Sequence, residues 1–143
     1  MAKGILATAE TSQPLGREVL FLPDEHQLMS QEDMRRVIQR IAHEIVERNH
    51  GAEGVMIVGL QRRGVPLAER LAKAIQEFEG TAVPVGALDI NLYRDDVVSK
   101  PQPLIHQTTL PINIENLAIV LVDDVFYTGR TARAALNALM DLG

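Results

Sequence analysis

Residues 119–131 read IVLVDDVFYTGRT. An apolar run ends in two adjacent carboxylates, Asp123 and Asp124, and a Thr-Gly-Arg-Thr turn then feeds a helical spacing through Ala135, Leu136 and Leu139. A short apolar run without alternation is the pattern of a strand covered on both faces, as in parallel sheets. Strand, turn and helix therefore open a crossover unit. In open α/β sheets, ligands bind beyond the carboxyl ends of the strands, where this acidic pair lies.

The same pattern recurs upstream. Val55–Leu60 (VMIVGL) is a second run of strand length, and after the polar break QRRG, Pro66 suits a first helical turn. Leu67, Leu71, Ile75 and Phe78 then carry one apolar face as far as Gly80. Ser30 and Asp33 form a capping-box signature, and Met34, Val37, Ile38, Ile41 and Ile45 keep helical spacing up to Asn49. Val83–Tyr93 reads as extended, with a possible bend at Gly86, and 94–116, with Pro101, Pro103 and Pro111, is long for a passive connection and reads as a mobile hairpin or lid. Residues 1–29 show no sustained period and read as a partly disordered N-terminal arm, leaving 30–143 as the folded domain. The fold class expected is α/β, a central mostly parallel sheet flanked by helices.

Composition narrows the function. The 143 residues suit one globular domain, and the absence of Cys removes disulfides, thiolate metal sites and cysteine nucleophiles. No apolar run reaches the roughly 20 residues of a membrane span, and the N-terminus lacks the pattern of a signal peptide, so a cytoplasmic location is expected. A net charge of −5 repels a polyanion, and 3% aromatic residues supply few stacking platforms, which argues against general DNA binding.

Each part of the 119–131 stretch has a chemical use. Amides of a turn entering a helix N-terminus converge on one concavity and, with the helix dipole, favour a phosphate. Gly129 permits the turn, and Thr128 and Thr131 add hydroxyl donors. Asp123 and Asp124 can accept from a sugar diol or hold a hydrated Mg²⁺. Alone, the acids are an ordinary strand end and TGRT a helix cap; adjacent, they address phosphate and sugar side by side. Neither G-x-x-x-x-G-K-[ST] nor G-x-G-x-x-G occurs, so the common nucleotide fingerprints are absent.

The stretch VDDVFYTGRT resembles the phosphoribosyl pyrophosphate (PRPP) signature of type I phosphoribosyltransferases. RIAHEIVERN, VGLQRRGVPLAERLA and DINLYRDD resemble, more narrowly, the pyrimidine-operon regulators that are also uracil phosphoribosyltransferases. The resemblance covers residues 30–143 and implies a type I phosphoribosyltransferase-like fold. It implies that uracil and PRPP give UMP and pyrophosphate, with Asp123 and Asp124 on the ribose hydroxyls and Val125, Phe126, Tyr127, Thr128, Gly129, Arg130 and Thr131 around the 5′-phosphate. Gln61–Gly64 becomes the pyrophosphate loop, with a cis peptide expected between Arg62 and Arg63. Arg62 stands where the family usually has Thr. Arg63 joins the two acids as a catalytic candidate, Arg62 and Arg63 compensate PRPP charge, and Arg94 meets the leaving group from the start of the lid. Mg²⁺ is expected to arrive with PRPP, with no permanent metal site. Arg40 and His43, with Arg48 beside them, carry over as a surface for the pyr mRNA leader. A UMP-responsive RNA-binding attenuation regulator with little or no catalysis is the alternative. A homo-oligomer, dimer or higher, is expected. Family members continue past the point matching Gly143 into a base-recognition segment, so the chain reads as C-terminally truncated, with weak or no turnover expected.

Overall fold

The computed structural model of the protein describes residues 27–90 and 108–143. The element order is α1 (Gln31–Arg48), β1 (Val55–Leu60), α2 (Gly64–Glu79), β2 (Val85–Leu88), β3 (Ala118–Val122) and α3 (Arg130–Leu142). The sheet has the order β2-β1-β3, and β1 pairs in parallel with both neighbours, Ile57 opposite Val85 and Val120. Every residue of β1 is buried, as its unbroken apolar run requires for a central strand.

Alternation along β1 divides the core into two layers. Val55 and Ile57 face a cluster with Ala42, Ile45 and Val46 of α1 and Ala68, Leu71 and Ile75 of α2. Met56, Val58 and Leu60 face Ala134, Ala135, Ala138 and Leu139 of α3, with Leu88 and Ile114. The architecture is a helix–sheet–helix sandwich, as expected from the sequence.

Three expectations need correction. The apolar run before Asp123 reads as a strand covered on both faces, yet β3 is exposed at Ala118 and only half-buried beyond it. Among the described residues it has a partner on one side only, and an edge strand keeps part of its surface. On α3, the residues facing the sheet are the small ones, and Leu136 turns outward at 53% exposure because close approach selects the alanine face. Phe78 and Ile41 likewise leave the core, at 37% each, because α1 and α2 pack side by side and these residues lie at the rim of that seam.

Residues before 27, and 94–107 of the expected hairpin segment 94–116, lie outside the described residues. Where the chain returns, Thr109 and Ala87 exchange backbone hydrogen bonds of 2.8 and 2.9 Å in an antiparallel bridge on β2.

The capping box forms as read. The Asp33 amide donates to Ser30 Oγ at 3.1 Å, and the Ser30 amide donates to Asp33 Oδ2 at 3.0 Å. Hydrogen bonds from the Ser30 hydroxyl and amide hold the Asp33 carboxyl below its ordinary value. A depressed acid contributes stability that is full above its ordinary value and lost as pH falls through the lowered one. Ser30→Ala is expected to cost about 1 kcal/mol of stability at neutral pH, and the deficit should shrink on acidification below the ordinary carboxylate range. Urea denaturation at two pH values checks both.

Candidate functional site

β1 and β3 are parallel, so their carboxyl ends meet at one edge of the sheet. β1 leads there into the 61–64 turn and α2, and β3 leads into Asp123, Asp124 and the 125–129 loop before α3. Two helix N-termini therefore open on the same edge. Neither carries a side-chain cap: Arg63 precedes α2 and Gly129 precedes α3 without bonding their first amides. Uncapped amides with the positive end of each helix dipole make a place for anions.

Gly129 is in the left-handed region, φ 80°, which a glycine adopts without steric cost. Its carbonyl accepts from the Arg133 amide at 2.9 Å, which closes the first turn of α3. Between the acids and this turn, Val125, Phe126 and Tyr127 stand 64, 80 and 89% exposed. Thr128 and Arg130 are exposed and Thr131 is half-buried.

The acidic pair is set unequally. The Asp124 amide donates to Asp123 Oδ1 at 2.9 Å, which turns the half-buried Asp123 carboxyl back over its own loop. Burial pushes the Asp123 carboxyl above its ordinary value; the Asp124 amide opposes this and the Asp124 carboxyl adds to it. Asp124 faces the other loop, its Oδ2 lying 3.6 Å from Arg63 Nη1. That is longer than a charge-assisted hydrogen bond, and at 84% exposure the guanidinium is loosely held.

The contact between the two loops depends on Gly64. A Cβ there would collide with the Val122 carbonyl oxygen and lie 3.2 Å from the Asp123 Cα. The sequence places Gly64 in the expected pyrophosphate loop but not in contact with the β3 end; a glycine at the strand-to-helix turn is the signal for that contact. The cis peptide of the loop is Gln61–Arg62, one bond before the expected one.

The structure thus brings Arg62, Arg63, Asp123, Asp124 and the 125–131 loop to one edge. Arg94 lies outside the described residues. Arg40, His43 and Arg48 are elsewhere, on α1, where with Glu44 and Glu47 they line a separate groove. Arg48 is paired there with Glu44 at 2.7 Å, and the His43 ring stacks on Phe78 with centroids 3.8 Å apart. A roomier groove of about 760 Å³ between α1 and α2 is lined by residues of those two helices and their cap, away from the acids, and its Arg35 is already tied to Glu32 at 2.8 Å.

The acid pair lies between two open helix N-termini, and comparison with known proteins names the chain's family. The phosphoribosyl transferase domain model matches residues 25–143. The chain belongs to that family. Its relatives include the Bifunctional protein PyrR of Chloroflexus aurantiacus, 57% identical over 121 residues, covering 84% of this chain and 66% of that protein. The Bifunctional protein PyrR of Thermus aquaticus is 58% identical over 118 residues, 82% of this chain and 65% of its own length. The chain therefore spans about two thirds of the length of these curated relatives. Among solved structures, the purine phosphoribosyltransferase of Pyrococcus horikoshii superposes with a TM-score of 0.52 at 22% identity, over 80% of this chain and 68% of that one, a likeness of fold alone. Within the phosphoribosyltransferase fold, the α2 and α3 N-termini and the acid pair occupy the carboxyl edge of the sheet.

Proposed function

We propose that this protein is a uracil phosphoribosyltransferase that also regulates expression of a pyrimidine biosynthesis operon. The observation that carries the reading is the Asp123–Asp124 pair seated between the uncapped N-termini of α2 and α3. Asp123 and Asp124 accept from the ribose hydroxyls of PRPP. Backbone amides of the loop from Val125 to Thr131 hold the 5′-phosphate, with Thr128 and Thr131 hydroxyls and the Arg130 side chain beside them. Arg63 swings from its loose contact with Asp124 to the pyrophosphate, joined by Arg62, and Arg94 supplies charge to the leaving group.

The reaction forms a bond from N1 of uracil to C1′ and breaks the bond from C1′ to the pyrophosphate oxygen. The N1 proton passes to solvent. Charge builds on pyrophosphate as the ribose gains oxocarbenium character, so fixed positive groups aimed at the leaving group lower the barrier. The two carboxylates and the ligand's own oxygens suit a Mg²⁺ ion that keeps several of its waters and is held through one or two acids. Held there with PRPP, such an ion would supply positive charge to the pyrophosphate.

The relatives' printed name, with Arg40, His43 and Arg48 lining one groove, supports the second activity, binding of a pyr mRNA leader under control of UMP. The acid pair and the intact TGRT turn favour this bifunctional reading over a regulator without catalysis. The protein acts in the cytoplasm as a homo-oligomer, dimer or higher. Calorimetric titration with PRPP is expected to show saturable binding that requires Mg²⁺, and incubation with uracil to yield UMP. A folded chain that binds no PRPP in Mg²⁺ would remove the proposal.

A further inference from the structure

The stack of His43 on Phe78 is the one aromatic ring pair among the described residues, and its imidazole lines the α1 groove, away from the acidic site. Its ring centroids are 3.8 Å apart and its planes within 20° of parallel. Phe78 sits in the last turn of α2, 37% exposed, where helical spacing alone would place it in the core. The phenyl ring instead backs one face of the imidazole, and His43 remains exposed. Around this pair stand two cations and two acids: Arg40, which makes no ion pair among the described residues, Arg48, paired to Glu44 at 2.7 Å, and Glu47.

This is a poor surface for an RNA duplex. Duplex binding rests on phosphate neutralisation, and here acids match bases one for one on a protein of net charge −5. What the groove offers is a flat ring with one face backed and guanidinium groups near it. Such a platform recognises an unstacked base in a single-stranded segment, which stacks on an aromatic or Arg plane.

We infer that Phe78 is a positioning residue for RNA recognition: by stacking on His43 it fixes the imidazole as a platform for one splayed-out loop base, with Arg40 on the adjoining phosphate. The inference rests on the regulatory reading above and adds to it a residue from another helix and a binding mode. It entails a shallow salt dependence, about one or two phosphates' worth of counterion release.

The test uses the full 143-residue chain and an RNA hairpin from a pyrimidine-operon leader, with 2-aminopurine placed at each loop position in turn. One loop position is expected to be quenched on binding, and quenching at none would overturn the inference. Phe78→Leu keeps apolar bulk but removes the ring, and is expected to weaken hairpin binding roughly tenfold and abolish that quenching; Phe78→Tyr should stay within about twofold of the parent. His43→Ala combined with Phe78→Leu should cost little more than either alone, as expected of residues acting as one unit. Unchanged affinity and quenching in Phe78→Leu would overturn the inference and leave the regulatory reading standing. No binding of the hairpin by the parent chain would overturn both. PRPP titration of each variant reports a folded α2 independently of RNA.

Discussion

Replacing Asp123 with Asn is expected to remove most PRPP-dependent activity while making the ligand-free protein more stable at neutral pH. The two effects share one cause. Burial and the neighbouring Asp124 carboxyl raise the Asp123 acid above its ordinary value, against the pull of the Asp124 amide. A raised acid binds its proton more tightly folded than unfolded, so the folded state is favoured most at low pH and loses that advantage as pH rises through the raised value. At neutral pH the ionised group therefore opposes folding. Asn keeps an oxygen to accept from the Asp124 amide, now at 2.9 Å from Asp123 Oδ1, and removes the charge. Its midpoint in thermal unfolding should lie above the parent's at pH 7, and the difference should vanish in acid, where the parent is protonated as well.

The activity loss follows from what the charge does when the sugar arrives. Hydrogen bonds to an ionised acceptor contribute about 1.5–3 kcal/mol each. A neutral amide in place of the carboxylate should lower kcat/KM on the order of 10²-fold. Asp124→Asn should lose activity similarly without the same gain in stability, because Asp124 is exposed and gives up its contact with Arg63. A PRPP-binding isotherm and a melting curve for each variant measure both predictions. An Asp123→Asn protein that is less stable than the parent at pH 7, or that binds PRPP equally well, would contradict the account of the site. Below the raised value, PRPP affinity of the parent should also fall, since the protonated acid no longer offers an ionised acceptor.

What could be read from the chain follows the range of the interaction concerned. The capping box at Ser30 and Asp33 and the unbroken run of β1 are local signals, and both elements stand where the spacing put them. The acid pair and TGRT turn were legible for the same reason: strand, turn and helix are contiguous, so the sequence orders the groups that the fold then brings to one edge. Features set by distant neighbours were not legible. Helical periodicity assigns Phe78 and Leu136 to apolar faces but does not say which part of a face meets the sheet; the alanines of α3 and the α1–α2 seam decide that. The edge position of β3 depends on strand order, which no single run contains. The pairing of Arg63 with Asp124 joins two loops distant in sequence, and only the family resemblance sets them in one site.

Gly64→Ala is expected to damage the protein in both fold and site, although it adds only one methyl group. Gly64 opens α2 and is buried against the end of β3, where a Cβ would overlap the Val122 carbonyl oxygen and approach the Asp123 Cα to 3.2 Å. These are backbone atoms, so no side chain can rotate away. Val122 is held in register with Gly59 of β1, and Gly59 is itself crowded, its own added Cβ falling 2.5 Å from the Val65 Cα. The α2 N-terminus must therefore move off the strand end. Overpacking of this kind costs about 1–3 kcal/mol, a fall of roughly 3–12 °C in Tm for a domain of this size. The same movement carries Arg63 and the 61–64 turn away from Asp124, so the pyrophosphate and ribose parts of the site no longer share one geometry. Misplacement near 1 Å reduces catalysis by about 10²-fold, and PRPP affinity should fall with it even at temperatures where Gly64→Ala is fully folded. Val65→Ala, one residue on and half-buried, trims a side chain without pressing on β3, and should lower Tm while leaving PRPP affinity near the parent's. A Gly64→Ala protein with parental Tm and PRPP affinity would mean that the two loops are not held together through this glycine.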